Sequence, residues 1–558
     1  MDIRRTILWM ILTFSLLLLW NNWQTYNGKP SLFGPSQTAQ AVDPAAQDQQ
    51  VADASVPSAA VAPTAAETIS AVPGEQAPAA SQSEHVEIDT DVLHLTFDTQ
   101  GAQLIKAELP LYATPSNGDE PFTLLDRRTG YTYVAQTGIV GAPAGQSWPT
   151  HLTPFRYVGQ QADGGRTNVV FEAQSDGVRV VKTFSLAPES YDILVRHEIH
   201  NLGSTPIQPS LYLQLERDGH EPPGAATFYS TFYGPAVYST EGKYQKIDLS
   251  DLDKNRGSYT RDADNGWVGM VQHYFATAWV PPQGVQRHNE ALRIGDNLYA
   301  IRTLAGTGNI DPGQAIAVDA HLWVGPQDQQ AMGDLAPGLE LVVDYGWLTI
   351  IAKPVFKLMT WLYTLLGNWG WTIVALTVLI KLAFYPLSAA SYRSMARMKK
   401  FTPRMQALRE KYGDDKAKMN QAMMELYRTE KINPLGGCLP MLVQIPVFIA
   451  LYWVLLGSVE MRGAPWILWI QDLSIRDPWF ILPAVMMATM FLQIKLNPTP
   501  PDPMQARIMM LMPLVFGGMM FFFPAGLVLY WVVNNILSIA QQRFVMHQID
   551  KADAAANR

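Results

Sequence analysis

A single lysine interrupts a strongly apolar stretch in the C-terminal half of this sequence. Lys381 lies in "LTVLIKLAFYPL", residues 376–387, and a lysine near the middle of a membrane-spanning helix costs about 2.5–3.5 kcal/mol. On a helix, Lys381 shares one face with Thr377, Tyr385 and Ser388, so the four form a polar stripe. Such a stripe could attract acidic groups of another molecule. Alternatively, Lys381 could extend its ammonium group to the lipid headgroups.

Uncharged polar side chains recur in the other apolar segments, and the sequence places them in the same inner half. Each could hydrogen-bond two helices together, which is the common role of Ser, Thr and Asn in membranes. Polar groups at one depth on four helices instead indicate a hydrated recess that opens to the cytoplasm and is closed on the outer side. The candidate groove residues are Lys381, Thr377, Gln444, Tyr530, Asn534, Ser538 and Gln493.

Motifs of common catalytic chemistry are absent from the sequence. It contains no GxxxxGK[ST], HExxH or GxSxG pattern, and its ten histidines are scattered over predicted strands. Cys438 is the only cysteine, which excludes an intrachain disulfide and a cysteine-based zinc site. The predicted spans carry no carboxylate that could relay protons or bind sodium. The sequence therefore predicts a protein without catalytic residues, metal or cofactor.

Hydropathy divides the 558 residues into a long soluble part and two apolar regions. Charged residues make up 16% of the chain, below the roughly 25% of an ordinary soluble domain. In residues 1–27, Arg4 and Arg5 precede about fifteen apolar residues, and a Trp/Tyr cluster typical of a membrane interface follows. They are predicted to form an uncleaved transmembrane anchor. A cleaved signal peptide is the alternative, although the nearest small-residue site, "AQA", lies at 39–41.

Residues 28–84 and 85–340 differ sharply in pattern. The first range is rich in Ala, Pro, Ser and Gln and buries too little apolar surface to fold, so a disordered linker is predicted. The second alternates with period two. In "YDILVRHEIHNLG" the residues Ile193, Val195 and Ile199 fall on one face, and "SLYLQLE" (210–216) repeats the scheme. This pattern predicts a large antiparallel β domain, a sandwich.

After residue 340 the periodicity becomes helical. Residues 341–366 are interrupted by Asp, Lys and Pro, which favours an amphipathic helix lying in the membrane interface. A five-span core is predicted over 367–545, followed by a short cytoplasmic tail, 546–558. The last two spans are separated only by "FPAG" (523–526), a tight hairpin. The predicted core spans lie at about 369–387, 437–457, 479–496, 507–523 and 525–543.

The distribution of charge sets the expected orientation. Residues 386–433 contain eleven Lys/Arg and five Asp/Glu, a local charge of +6, whereas the whole chain is at −8. The positive-inside rule therefore places this loop, together with Arg4 and Arg5, in the cytoplasm. With six spans, both termini are cytoplasmic and the β domain lies outside.

The basic loop is predicted to form a helical hairpin over 387–433. Two amphipathic stretches are joined by Gly413–Asp415, and either Asp414 or Asp415 could cap the second helix. The basic residues could contact ribosomal RNA or anionic lipid, or they could serve only to fix the topology. Flexible methionine side chains suit contact with many partners. In the methionine-rich spans "ILPAVMMATMF" and "IMMLMPLVFGGMMFFF" they could instead simply face the lipid. The hairpin methionines predicted to contact other chains are Met395, Met398, Met405, Met419 and Met423.

Three segments of the sequence carry a family resemblance. "FYPLSAASYRSMARMKKFTPRMQALREKYGDD", "KINPLGGCLPMLVQIPVFIALYWVL" and "FPAGLVLYWVVNNILSIAQQ" closely resemble the YidC membrane protein insertases of Gram-negative bacteria, and the likeness covers the whole chain. The resemblance implies a multi-pass α-helical membrane protein of the bacterial inner membrane, with six spans, a five-helix insertase core and a large periplasmic all-β supersandwich domain. It also implies that the protein inserts, folds and assembles inner-membrane proteins, alone or with the Sec translocon.

The resemblance further implies a groove with one basic residue that contacts incoming chains. That residue falls on Lys381, where familiar members carry arginine; lysine keeps the charge and loses the bidentate fork. Thr377, Gln444 and Tyr530 fall on groove-lining positions. The expected partners are nascent membrane proteins, the Sec translocon and membrane lipids, with the ribosome as a further candidate and without a specific nucleic-acid site. The weakly basic tail disfavours strong ribosome binding.

Two other classes of function remain open from the sequence. A solute transporter would need midplane sites on broken helices and usually internal repeats, which the sequence lacks. A sugar-binding envelope scaffold would use the β domain as its working part and the spans as an anchor.

Overall fold

The structure is a computed structural model. It describes residues 55–57, 83–114, 117–222, 231–412, 415–429, 439–496 and 503–556. The predicted anchor 1–27, most of the predicted linker and Cys438 lie outside the described residues. The chain divides into two compact units, one up to Val342 and the other from Val343 onward.

The first unit is built from antiparallel β-strands in two sheets of nine strands each among the described residues. Sheet 1 has the order β1-β2-β3-β4-β5-β10-β17-β16-β13, and sheet 2 has the order β12-β11-β14-β15-β18-β9-β8-β7-β6. The strands are β1 His85–Asp89, β2 His94–Asp98, β3 Gln103–Thr114, β4 Asn117–Arg128, β5 Tyr131–Val140, β6 Arg156–Asp163, β7 Arg166–Ser175, β8 Val178–Leu186, β9 Asp192–Asn201, β10 Ser210–Asp218, β11 Gly234–Ser239, β12 Lys243–Lys246, β13 Asp262–Ala263, β14 Trp267–Gln272, β15 Phe275–Val280, β16 Arg287–Gly295, β17 Leu298–Gly306 and β18 Ala315–Pro326.

The alternation seen in the sequence places side chains as expected on β9. Ile193, Val195 and Ile199 are buried, whereas Arg196 is exposed. On β10 both faces are buried: the leucines at 211, 213 and 215 are covered, and Gln214 between them is 0% exposed. The expectation of an open polar face on this strand is therefore wrong. Loop residues and a short segment of the predicted linker cover the centre of sheet 1.

Side chains and backbone groups join the two sheets across the core. The Trp279 indole on β15 donates to the Gln214 carbonyl oxygen at 3.0 Å, and the hydroxyls of Tyr133 and Thr277 are hydrogen-bonded. Burial of one such large side chain contributes about 1.5–3 kcal/mol. The two sheets of the sandwich therefore enclose one common core.

A lysine is enclosed in this core. Lys182 on β8 is fully buried, and its Nζ donates to the carbonyl oxygens of Gly101, at 2.6 Å, and Thr137, at 2.8 Å. Burial lowers the pKa of Lys182 to about 7, because the interior disfavours the charged form. A neutral amine still has two N–H groups, enough for both carbonyls. Nearby, burial and the Lys182 charge lower the pKa of His197 to about 3.

Short helices follow the strands of this unit. The helices are α1 Leu249–Asp253 and α2 Gln329–Leu335, and a 3₁₀ turn covers Leu339–Val342. Asp328 caps α2, since its carboxylate accepts from the amides of Gln330 and Ala331 at 2.9 and 3.0 Å.

The second unit is helical. Its helices are α3 Thr349–Leu366, α4 Trp369–Ala383, α5 Tyr385–Tyr412, α6 Lys416–Thr429, α7 Leu439–Gly457, α8 Ile481–Leu496, α9 Pro503–Met519 and α10 Ala525–Ala556. Gly367, with φ of 63°, ends α3, and the Asn368 side chain then caps α4 by accepting from the Trp371 amide at 3.1 Å. Residues 546–556, predicted as part of a short tail, continue α10.

Among the described helices, none alone is both long and apolar enough to cross a membrane, but one bent pair is, by length and composition. This pair joins α4 to residues 385–398 of α5 through a bend of 64°. Pro386 explains the break, because it has no amide proton for the carbonyl four residues earlier. The predicted single stripe is therefore wrong beyond Lys381: Tyr385 and Ser388 lie past the bend, on a different helix.

The basic hairpin and the segment between α7 and α8 each contain a capping aspartate. In the hairpin, Asp415 accepts from the amides of Ala417 and Lys418 at 3.1 Å, which identifies the cap of α6. In the non-helical segment before α8, Asp477 is buried and accepts from the Trp469 indole at 3.0 Å and the Leu482 amide at 2.7 Å. Asp477 thus fixes both the loop and the start of α8.

Candidate functional site

Lys381 and Ser538 meet between α4 and α10. The Lys381 Nζ donates to the Ser538 Oγ at 2.7 Å, and that hydroxyl donates in turn to the Asn534 carbonyl oxygen at 2.7 Å. Lys381 is 6% exposed and Ser538 is 5% exposed. The lysine is thus held between two helices by an uncharged partner, rather than extended along the surface.

The polar stripe is continuous on α10 instead of α4. Tyr530, Asn534, Ser538 and Gln541 recur at helical spacing on α10, so they share one face. Gln541 Nε2 donates to the Lys381 carbonyl oxygen at 3.3 Å. This face of α10 therefore contacts the end of α4 through both the side chain and the backbone of Lys381.

Gln444 connects the same face of α10 to α7. Its Nε2 donates to the Asn534 Oδ1 at 3.0 Å, and its side chain is also hydrogen-bonded to that of Tyr530. The Tyr530 ring stacks on Phe448, with ring centroids 5.9 Å apart. The structure therefore brings together five of the seven predicted groove residues, namely Lys381, Gln444, Tyr530, Asn534 and Ser538.

The two other predicted residues lie outside this cluster of hydrogen bonds. Thr377 is buried, but its hydroxyl donates to the Ile373 carbonyl oxygen of its own helix at 2.6 Å. Gln493 on α8 is half-buried and makes no hydrogen bond to a described residue. Neither side chain contributes to the link between α4, α7 and α10.

A second polar contact, between α8 and α10, was missed in the sequence. Asn535 is buried and its Nδ2 donates to the Thr489 Oγ1 at 3.3 Å, and Gln542 Nε2 donates to the Leu496 carbonyl oxygen at 3.4 Å. The signal was present, since each follows directly after a polar residue of the first stripe and so lies about 100° around the helix. A helix with two adjacent polar stripes contacts two neighbours.

The hairpin methionines differ in exposure. Met405 is buried, whereas Met395, Met398, Met419 and Met423 are half-buried. Met424, which the sequence did not single out, is 68% exposed. The α5–α6 hairpin therefore presents one methionine fully to its surroundings and keeps the others partly within the helix packing.

The charge of Lys381 has no acidic counterpart in the part of the chain that the structure describes. None of the described carboxylates forms an ion pair with Lys381, and no group of three or more metal-binding side chains occurs among the residues searched. The cluster offers several hydrogen-bond donors and acceptors, among them the Lys381 amine and the hydroxyls of Ser538 and Tyr530. It is suited to binding polar groups.

Comparison with known proteins identifies the family. Residues 85–358 match the YidC periplasmic domain, and residues 361–552 match the 60Kd inner membrane protein family. A curated relative in Bordetella pertussis, described as membrane protein insertase YidC, is 66% identical over 100% of both chains. The chain belongs to the YidC family. A further YidC, from Cupriavidus necator, is 50% identical and covers 100% of this chain and 99% of its own.

The YidC assignment confirms the family predicted from the sequence motifs. It also identifies the two-sheet unit as the periplasmic domain of a YidC and the helical unit as inner-membrane protein. A solved structure, an active YidC insertase with its first transmembrane domain resolved, is 18% identical with a TM-score of 0.38 and covers 83% of this chain and 92% of that chain.

Proposed function

We propose that this YidC chain inserts and helps to fold and assemble inner-membrane proteins without chemical catalysis. Its relatives are described as membrane protein insertases. The work of such a protein is to lower the barrier for a polar segment to enter the membrane and for an apolar segment to reach the lipid. The favourable step is burial of the apolar segment in the bilayer.

The observation that carries this proposal is the Lys381–Ser538 pair. The ammonium group has three N–H donors, of which the Ser538 hydroxyl takes one at 2.7 Å. With no described carboxylate paired to it, the charge remains available to an acidic group that enters from the cytoplasm. We infer that polar flanks of a substrate are drawn to Lys381.

The rest of the groove offers uncharged hydrogen-bonding groups. Gln444 and Asn534 are half-buried and can exchange their mutual hydrogen bond for bonds to a polypeptide backbone or to water. Such an exchange costs little, because each bond broken is replaced by another. A hydrated recess of this kind, open to the cytoplasm, would shorten the apolar distance that a polar segment has to cross.

Apolar side chains on α9 provide a surface for the hydrophobic part of a substrate. Met510, Leu511, Leu514 and Val515 are exposed large side chains of this helix, and they suit contact with acyl chains or with an apolar segment. The proposed route therefore has a polar part at α4, α7 and α10 and an apolar part at α9.

The proposed topology has six spans, with both termini cytoplasmic and the periplasmic domain outside. The local charge of +6 over residues 386–433 supports it, since the α5–α6 hairpin carries that charge. The Sec translocon and the ribosome are proposed partners in the same orientation. The methionines of the hairpin, including Met424, are the proposed contacts with other chains.

Site-specific photocrosslinking of stalled nascent chains tests this proposal. A photoreactive residue at position 381, 444 or 530 is expected to capture a stalled membrane protein. Position 372 is the matched control, because Thr372 is buried at the other end of α4, nine residues or about 13 Å from Lys381. Equal capture from positions 372 and 381 would exclude a groove limited to the inner half.

A further inference from the structure

Three residues of the predicted linker lie on the periplasmic domain. Val56 packs against Val140, Tyr212 and Leu304, which belong to three adjacent strands of sheet 1, β5, β10 and β17. Pro57 beside it is buried. These residues therefore depart from the expectation that the whole range 28–84 makes no contacts.

Two polar groups hold Ser55, the residue before Val56. The His151 Nε2 lies 3.2 Å from the Ser55 Oγ, and the Arg302 Nη1 donates to the Ser55 carbonyl oxygen at 3.4 Å. One group thus contacts the side chain and the other contacts the backbone. This combination is how a protein surface recognises an extended peptide.

Arg302 is oriented by hydrogen bonds that do not involve the linker segment. Its Nε donates to the Glu290 Oε2 at 2.6 Å and its Nη1 also donates to the Gln214 Oε1 at 3.3 Å. Gln214 Nε2 donates to the Gln136 Oε1 at 2.7 Å, and Gln136 Nε2 donates to the Gln103 Oε1 at 3.0 Å. A row of hydrogen bonds therefore runs across five strands of sheet 1 and fixes the guanidinium.

His151 is fixed in the same way. Its Nδ1 lies 2.6 Å from the Tyr212 Oη, and its amide donates to that same oxygen at 3.0 Å. Gly138 makes this arrangement possible, because a Cβ there would lie 2.5 Å from the Tyr212 Oη. Tyr212 consequently supports the imidazole on one side and forms part of the apolar contact for Val56 on the other.

We propose that this surface of the periplasmic domain is a peptide-binding site that takes an extended, uncharged segment of the form Ser-aliphatic-Pro. Its resident ligand is the chain's own Ser55–Pro57. A segment of the same chemistry in another periplasmic polypeptide binds there when the linker leaves. The site is named the linker site below. It goes beyond membrane insertion, which depends on the helical unit.

The composition of Ser55–Pro57 suits it to bind an apolar surface. In "VADASVPSAA" (51–60), Val56 is the one large apolar residue next to a proline, and a proline restrains the residue before it to extended conformations. The segment therefore loses less conformational freedom on binding than the flanking alanines and serines would. Because it is tethered, it competes with any free peptide at an effective concentration in the millimolar range.

Binding of a fluorescent peptide with the sequence of residues 51–60 to the full-length protein in detergent tests the proposal. The variant Val56→Asp removes the resident ligand, since a carboxylate cannot pack against Val140, Tyr212 and Leu304. We expect it to bind the peptide about tenfold more tightly than the unmodified protein, because the tethered competitor is gone. The matched control is Val61→Asp, which places the same charge in the linker five residues further along the chain and should leave the affinity unchanged.

Two results would overturn the proposal. One is a failure of Val56→Asp to bind the peptide at millimolar concentration; the other is equal binding by all three proteins. Displacement of the peptide by a neutral oligosaccharide at lower concentration than by the unlabelled peptide would reassign the site to carbohydrate. Misfolding does not confuse the outcome, because the substituted residue lies in the linker and circular dichroism of the β domain should be unchanged.

Discussion

The Nζ of Lys381 on α4 lies 2.7 Å from the Oγ of Ser538 on α10, 157 residues later in the chain. Both side chains are buried, and the Lys381 ammonium donates to a hydroxyl that donates in turn to the Asn534 carbonyl oxygen. A buried ion pair would neutralise the charge within the protein. A serine does not neutralise it, and under the proposed function the charge acts on an incoming group.

Changing the charge at position 381 should change insertion of selected substrates. Lys381→Glu is expected to impair insertion of membrane proteins whose translocated end is acidic, because it replaces attraction by repulsion. Lys381→Arg should preserve insertion, since it keeps the charge. The measurement is protease protection of substrates synthesised with vesicles that contain each variant.

Lys381→Met is the control for packing, because methionine fills a similar volume without charge. Its effect should be intermediate and should be confined to substrates with acidic ends. Normal insertion by Lys381→Glu would remove this residue from the mechanism.

Gln444 and Asn534 should be energetically coupled. Their hydrogen bond at 3.0 Å joins α7 to α10, and interhelical bonds of this kind contribute about 0.6 kcal/mol on average and up to about 1.7. A double-mutant cycle with Gln444→Leu and Asn534→Leu should therefore give a coupling in this range, measured by unfolding in mixed micelles.

Thr377→Val is the corresponding control on α4. Its hydroxyl bonds only within its own helix, so it should show no coupling to Asn534→Leu. A coupling as large as that of Gln444 would mean that the two sites communicate by packing and not by the hydrogen bond.

The stability of the periplasmic domain should rise with pH because of Lys182. Its pKa is about 7 in the folded domain, against a usual value of 10.5. Between these values the unfolded chain binds a proton that the native domain does not, so the free energy of unfolding increases with pH by up to about 1.4 kcal/mol per pH unit. Below about pH 7 both states bind the proton and the contribution is constant.

Lys182→Met removes this dependence. Urea unfolding of the full-length protein, followed by tryptophan fluorescence at several pH values, should show the stability of the unmodified protein rising relative to that of the variant above about pH 7. Parallel curves from neutral to alkaline pH would show that Lys182 stays charged in the core.

Removing Asp477 should destabilise the helical unit at the start of α8. Its carboxylate accepts hydrogen bonds from the Trp469 indole and from the amides of Trp479 and Leu482. Asp477→Ala leaves these donors without their acceptor, which is expected to lower the free energy of unfolding by about 2–3 kcal/mol. Thermal unfolding in detergent measures the change.

Asp477→Asn retains one carbonyl oxygen and should lose about half as much stability. An alanine variant as stable as the unmodified protein would mean that water replaces the carboxylate.

Spacing within one element was predictable from the sequence, whereas pairing between elements was not. The face shared by Tyr530, Asn534 and Ser538 follows from the 3.6-residue repeat alone. That Ser538 meets Lys381 and Asn534 meets Gln444 depends on how three helices pack, and helical periodicity contains no such information. Similarly, the alternation of buried and exposed side chains on β9 was predicted correctly, because one face of the sheet is buried there.

Two predictions from the sequence differ from the structure, and one of the differences has a local cause that sequence rules contain. The polar spacing suggested one helix through Ser388, whereas the missing amide proton of Pro386 breaks the helix before that residue. The contacts of Val56 are different, because a segment rich in Ala and Ser gives no sign of binding until the surface opposite it is known.

Helix α10 has 32 residues, which corresponds to about 48 Å at 1.5 Å per residue, well beyond the roughly 30 Å of a bilayer's hydrocarbon layer. A rod of that length transmits rotation from one end to the other. A reporter placed near its C-terminal end would therefore register, at a distance and outside the lipid, any turning of the helix that separates Ser538 from Lys381.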